Sequence, residues 1–245
     1  MDQAVADKLL LWAERYNNPK YFEEDPIAFP RRFHSMMTTI QPVLGFDGGE
    51  WRPCLQDVEI AAVFAAHFAW GRRAMIVRDC SRLFDEMMWR PFDYVMAGDW
   101  RSDSSSIHRT VKWSEVAAIC KRLKAFYSSA ESMETLSADE MRVKIYGQKA
   151  DPKAANKKIW MLRRWMIRDD GRVDLGLWKN SDKRELVIPL DVHVYRQATE
   201  LGLTKRRSKD IVTARDITDS FRELFPDDPA KGDFALFGYG VNTNA

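Results

Sequence analysis

The sequence predicts an all-α fold, and three observations predict it. Apolar residues recur at helical spacing in most segments of the chain. Alternating apolar and polar runs are scarce, and β-branched runs are short. Helix stops and caps recur at intervals that suit helices rather than strands. The first helix is expected over Ala4 to Tyr16, stopped by Asn17-Asn18-Pro19. Tyr21 to Arg32 carries Pro26 and Pro30 and reads as irregular or as a short helix. Asp57 to Arg73 is apolar on nearly every side, which predicts a buried central helix capped by Asp57 and closed at Gly71. A further helix is expected from Met75 to Met88, before Pro91.

Gly98 to Thr110 is serine-rich and reads as a loop, the best candidate for a mobile segment. Ser114 to Tyr127 is amphipathic, with Val116, Cys120, Leu123 and Tyr127 on one stripe. Ser137 and Glu140 have capping-box spacing. The loop Gly147 to Lys153 leads to a helix over Ala154 to Arg168, ended by Asp169-Asp170-Gly171. Pro189 leads into a helix from Asp191 to Gly202, and Ser208 is read as the cap of a last long helix through Leu224. Pro226 to Pro229 breaks the chain before a short terminal helix. No internal repeat or clean linker is visible, and aromatic residues are spread along the chain, which favours one continuous fold.

The 245 residues suffice for one substantial domain or two small lobes sharing a core. A hydrophobic fraction of 45% with 30% charged residues is a globular balance rather than a disordered one. The net charge of +2 says little about partners. Placement says more: cations gather between Arg142 and Arg168 and between Lys205 and Lys209, patches able to bind an anionic polymer or simply to face solvent. Cys54, Cys80 and Cys120 have neither zinc spacing nor the number for a four-cysteine cluster, which points to a reducing compartment. The four histidines are scattered, so neither a metal site nor a cofactor is expected. The start of the chain has no signal-peptide pattern and no span for a membrane.

Two segments carry chemistry. In the helix from Asn156 to Arg168, Lys157, Met161, Arg164 and Arg168 share one stripe, while Ile159, Leu162 and Met166 share another. One face is expected to pack inward and the other to present cations. Lys157 lies in the first turn, where the positive end of the helix dipole disfavours a cation and so favours a nucleophilic amine. In Val187 to Arg196, an apolar stretch and Pro189 deliver Asp191 to a helix start, where backbone N–H groups keep a carboxylate anionic. Such an anion suits stabilisation of the oxocarbenium-like sugar formed when a glycosidic bond breaks. The same spacings also describe a basic helix and an ordinary N-cap aspartate.

The string Pro189-Leu190-Asp191-Val192-His193-Val194-Tyr195-Arg196, with Leu201-Gly202-Leu203, resembles the catalytic-aspartate segment of helix-hairpin-helix DNA glycosylases. Over most of the chain the sequence is similar to an uncharacterised bacterial family related to those enzymes. The matching pieces include Asp25-Pro26 with Phe29-Pro30, Asp57 to Arg73, Arg164 to Arg168, Asp174 to Trp178, and Asp228 to Leu236. The resemblance implies a two-lobed helical glycosylase fold with the site between lobes, drawn at 1–56 plus 190–245 and at 57–189. It implies duplex DNA as partner, a monomer in the bacterial cytoplasm, and excision of a damaged base, 8-oxoguanine first, with an AP lyase step open.

The nucleophilic lysine of bifunctional members matches Lys157 best, with Lys158 second. The 34 residues from Lys157 to Asp191 match the long spacing of archaeal 8-oxoguanine glycosylases. DNA contacts are implied for Trp70, Arg72, Arg73, Lys153, Arg164, Arg168 and Lys231, and a base pocket for Trp160, Met161 and His193. The sequence departs from the family in two places. Gly147 to Lys153 has a single glycine where the hairpin is glycine-rich, and Val192 replaces the usual threonine. Two alternatives stay open: a DNA-binding protein that has lost catalysis on this fold, and an enzyme acting on hypermodified bases.

Overall fold

The computed structural model describes residues 1–39, 43–44 and 50–243. In chain order its helices are α1 (Gln3–Tyr16), α2 (Ala28–Thr38), α3 (Leu55–Phe68), α4 (Arg73–Glu86), α5 (Pro91–Ala97), α6 (Trp113–Tyr127), α7 (Ala138–Lys144), α8 (Lys157–Ile167), α9 (Val192–Glu200), α10 (Ile211–Arg222) and α11 (Gly232–Thr243). Strand is confined, among the described residues, to two short antiparallel pairs: β1 (Val43–Leu44) with β2 (Glu50–Trp51), and β3 (Ser106–His108) with β4 (Val111–Lys112). The protein is therefore mostly helical. The segment expected to be a loop from Gly98 to Thr110 contains β3, and the Asp103 carboxylate organises what precedes it by accepting from Ser105 N–H at 2.8 Å.

The chain divides into two compact units, residues 1–21 with 151–245, and residues 22–150. The boundaries differ from those drawn at 56 and 189. Burial explains the shift: Leu9 and Ala13 of α1 share one core with Val187, Ile188, Leu190 and the inner faces of α9, α10 and α11, and Ala155 and Trp160 pack against it. Residues 151–189 therefore belong with the terminal segments. Gly238 lets α11 lie close on α1, because a Cβ there would overlap the side chains of Tyr16 and Trp12.

The second unit is built on α3. Val58, Ile60, Ala61, Ala62, Val63, Phe64, Ala65 and Phe68 are all fully buried, as the all-round apolar pattern predicts, and α2, α4 and α5 pack around them. Glu59 is equally buried, and its carboxyl oxygens accept from Tyr127 O–H at 2.7 Å, Ser132 Oγ–H at 2.6 Å and Met133 N–H at 3.1 Å. Those donors offset the cost of burying a carboxyl group. Helix α3 starts two residues before Asp57, with Cys54 as its N-cap. Asp57 is the third helical residue and accepts from Cys54 N–H at 2.8 Å. The helix also ends before Gly71, and Arg73 opens α4 instead of closing α3.

Other ends moved for equally local reasons. Asn156 takes a left-handed φ of 49°, so α8 starts at Lys157 and not at Ala154. Asp210, not Ser208, caps α10, accepting from Thr213 N–H at 2.9 Å. Ser137 and Glu140 form the capping box read from their spacing.

Candidate active site

The candidate site lies in the unit formed by residues 1–21 and 151–245. Buried Ile188 and Leu190 carry the chain to Asp191, the N-cap of α9. Asp191 Oδ1 accepts from the N–H groups of His193 and Val194, both at 2.9 Å. The other oxygen, Oδ2, faces Lys157 Nζ at 3.4 Å. One carboxylate thus does two things: one oxygen fixes its orientation on a helix start, and the second is aimed at an amine in the first turn of α8. Side-chain exposure of 32% for Lys157 and 27% for Asp191 leaves the pair reachable from solvent while largely embedded. Lys158, the second candidate nucleophile, is half-buried.

The rest of the α8 cationic stripe turns inward, which corrects the expectation that Arg164 and Arg168 contact DNA. The Arg168 side chain is 1% exposed. Its Nε donates to Asp228 at 2.9 and 3.0 Å, Nη1 to Asp174 at 2.7 Å and Nη2 to Asp170 at 2.8 Å. Arg164 lies one α-turn earlier, bonded to Asp174 and Asp233, and the Phe234 ring lies under both guanidinium groups at 4.7 and 5.0 Å. Burial opposes the charge of Arg168, but Asp174, Asp228 and Asp170 outweigh it and raise its pKa further. Both guanidinium groups are already occupied by carboxylates, and their side chains are 6% and 1% exposed.

The segment from Asp174 to Trp178 closes this arrangement. Leu175 N–H donates to Trp165 O at 2.7 Å and Trp178 N–H to Met166 O at 2.8 Å, so it satisfies carbonyls at the C-terminus of α8. Gly176 has a φ of 60°, and a Cβ there would overlap Asp169 side chain and backbone.

Asp233 lies in the first turn of α11. Burial pushes its carboxyl above the ordinary range. The charges of Asp191 and Asp174 push the same way, against Arg164 and Lys157. Asp233 therefore belongs to the electrostatic surroundings of the Lys157–Asp191 pair. Its only sequence signal was an aspartate at a helix start after Pro229, a pattern shared with many caps.

The other expected residues are placed as follows. Trp160 packs against the core of its unit, so it is first a packing residue and not a free base-stacking one. Met161 is half-buried, and His193 is exposed on α9. Lys153 is exposed, whereas Lys231 pairs with Glu14 at 2.9 Å and sits over Phe225 at 5.6 Å. Trp70, Arg72 and Arg73 belong to the other unit. Trp70 is 39% exposed with the Arg109 guanidinium 4.5 Å above its ring, and its carbonyl faces His108 Nε2 at 3.1 Å. Arg72 is exposed and Arg73 lies 3.6 Å from Asp25. Among the described residues no group of His, Cys, Asp and Glu is arranged to hold a metal ion. No described helix is long and apolar enough to cross a membrane.

An N-cap aspartate and an amine held against it define the class to which the site belongs: a helical protein with a lysine–aspartate pair. A family model described as protein of unknown function (DUF2400) matches residues 53–151 and 138–242, and the chain belongs to that family. No curated protein and no solved structure matches it.

Proposed function

We propose that the protein is a base-excision DNA glycosylase of the helix-hairpin-helix kind, with Lys157 as nucleophile and Asp191 as its partner. The single observation that supports the reading is the 3.4 Å approach of Lys157 Nζ to the Asp191 oxygen that is not used in capping α9. That approach also favours Lys157 over Lys158. In the proposed reaction the neutral amine attacks sugar C1′ of an extruded nucleotide, and the N-glycosidic bond breaks with its electron pair leaving on the base. Asp191 Oδ2 accepts the proton that Nζ releases. Its charge faces the sugar as that sugar becomes oxocarbenium-like. Ring opening then gives a Schiff base, which sets up strand cleavage.

The test is borohydride trapping on duplexes that each carry one lesion, 8-oxoguanine first, then other oxidised and hypermodified bases. The expected result is a covalent protein–DNA band that Lys157→Ala abolishes and Asp191→Asn suppresses at least a hundredfold, in keeping with the loss of a general base. Asn still caps a helix, so the second variant should fold as the parent does. A band of full intensity in Lys157→Ala refutes the assignment.

A further inference from the structure

With Arg164 and Arg168 neutralised inside the unit, the cations available to an anionic partner lie elsewhere on it. Lys153, Lys205, Arg207 and Lys209 are exposed, and none has a carboxylate partner among the described residues. They share one edge. Ile211 N–H donates to the Lys153 carbonyl at 3.1 Å, which lays the loop before α8 against the start of α10, directly after the 205–209 run. That run is fastened rather than loose. Arg206 Nε donates to Thr213 Oγ1 at 3.0 Å, and the Arg206 carbonyl accepts from Tyr195 O–H at 2.9 Å.

The tyrosine bond ties the basic loop to α9, the helix that Asp191 caps. Lys209 Nζ lies 5.3 Å from the Tyr195 ring centre. On the same side of α9 is an open hollow of about 590 Å³ walled by Val192, His193, Tyr195, Thr199, Glu200 and Lys209. Val192, next to Asp191, is 61% exposed, an apolar side chain held in water beside the candidate site. Glu200 is the one acidic wall residue, and Tyr239 O–H already donates to it at 3.1 Å.

We infer that this edge and the α9 hollow together form the docking surface for the DNA backbone. Phosphates seat on Lys153, Lys205, Arg207 and Lys209, and an adjoining nucleotide lies over Val192 and Tyr195. The inference rests on the glycosylase reading for its choice of DNA. It moves the phosphate contacts from α8 to the loops that precede α8 and α10. The warrant is charge complementarity: exposed cations without carboxylate partners are those whose contact with phosphate releases counterions, whereas Arg164 and Arg168 are already paired with carboxylates. An aromatic ring under a lysine, beside an exposed apolar residue, suits the face of a sugar or base.

The test is fluorescence anisotropy on a labelled lesion-free duplex between about 50 and 200 mM salt. The triple variant Lys205→Gln/Arg207→Gln/Lys209→Gln is compared with Lys8→Gln/Arg15→Gln/Lys20→Gln, which removes three exposed cations of the same unit. The first triple should flatten the slope of log affinity against log salt by about 2.7, at about 0.9 per phosphate contact, and weaken binding at least about tenfold. The second should change neither. Equal behaviour of the two triples overturns the inference, as does absence of duplex binding by the parent at low salt. Tighter binding of an RNA of equal length overturns the choice of DNA. Failure of the glycosylase reading shows separately, as lost trapping with the salt slope intact.

Discussion

Replacing Arg168 with methionine separates a buried structural cation from a DNA contact. The substitution keeps much of the apolar stem and deletes the guanidinium. In the folded protein that group makes four hydrogen bonds, to Asp228 at 2.9 and 3.0 Å, Asp174 at 2.7 Å and Asp170 at 2.8 Å. Asp174 has a fully buried side chain and, among the described residues, would keep only Arg164 at 3.3 Å. With an effective dielectric near 20, each charge pair at about 4 Å is worth about 4 kcal/mol before desolvation. Removing one partner of a buried pair costs about 3–5 kcal/mol net, because the Asp174 carboxylate left behind stays out of water. For a chain of this size that is a fall in Tm of roughly 6–20 °C. The assay is calorimetry at pH 7, paired with duplex-DNA affinity measured well below the transition. DNA affinity should stay within about twofold of the parent, since the group is buried. A Tm loss under about 2 °C together with a flattened salt dependence would mean that Arg168 meets phosphate, and would refute the assignment of the α8 stripe to the interior.

Two further outcomes follow from local geometry. Gly176→Ala places a Cβ at a left-handed φ and against the Asp169 backbone, so it should destabilise by at least about 1 kcal/mol, read from the urea midpoint. Asp210 is held down to about 2 by the Thr213 N–H and the Ser208 hydroxyl. Its contribution is present above the unfolded value of about 3.9 and is lost as pH falls through about 2. Asp210→Asn keeps an acceptor at the cap but does not titrate, so its urea midpoint should fall less than the parent's between about pH 5 and pH 2.5. Equal falls would show that the cap carries no such linkage.

The helices were legible where the signal was local. The all-round apolar run of α3 stated its burial, and Ser137 with Glu140 stated the start of α7, because each depends on residues within a turn or two. The start of α8 was not, since a left-handed Asn156 leaves no mark in a periodic pattern that runs through it. The Lys157 and Asp191 pairing was suggested by resemblance, because residues 34 apart carry no spacing rule that brings them together. The inward turn of Arg164 and Arg168 was hidden for a different reason. Helical spacing puts cations on one stripe but is silent on what the stripe meets. Here the answer comes from Asp170 and Asp174 in the following loop and from Asp228 and Asp233, 60 and 69 residues from the arginines they bond. The cap of α3 falls three residues before Asp57 because Asp57 acts from inside the helix, back onto Cys54 N–H, and at α10 two nearby polar residues, Ser208 and Asp210, compete for the cap.

The joining of residues 1–21 to 151–245 gives the candidate site an order of assembly. During synthesis α1 is made before residues 22–150 and its partner α11 after them, so the hydrophobic face of α1 must wait through the making of an intervening unit. Lys157 and Asp191 are both present in a nascent chain that has not yet produced Asp233 or the Gly238 contact with α1. The core that α9 shares with α1 and α11 is thus completed only when those two distant helices meet. A chain stalled before α11 would carry the amine and the carboxylate on a unit whose core is incomplete.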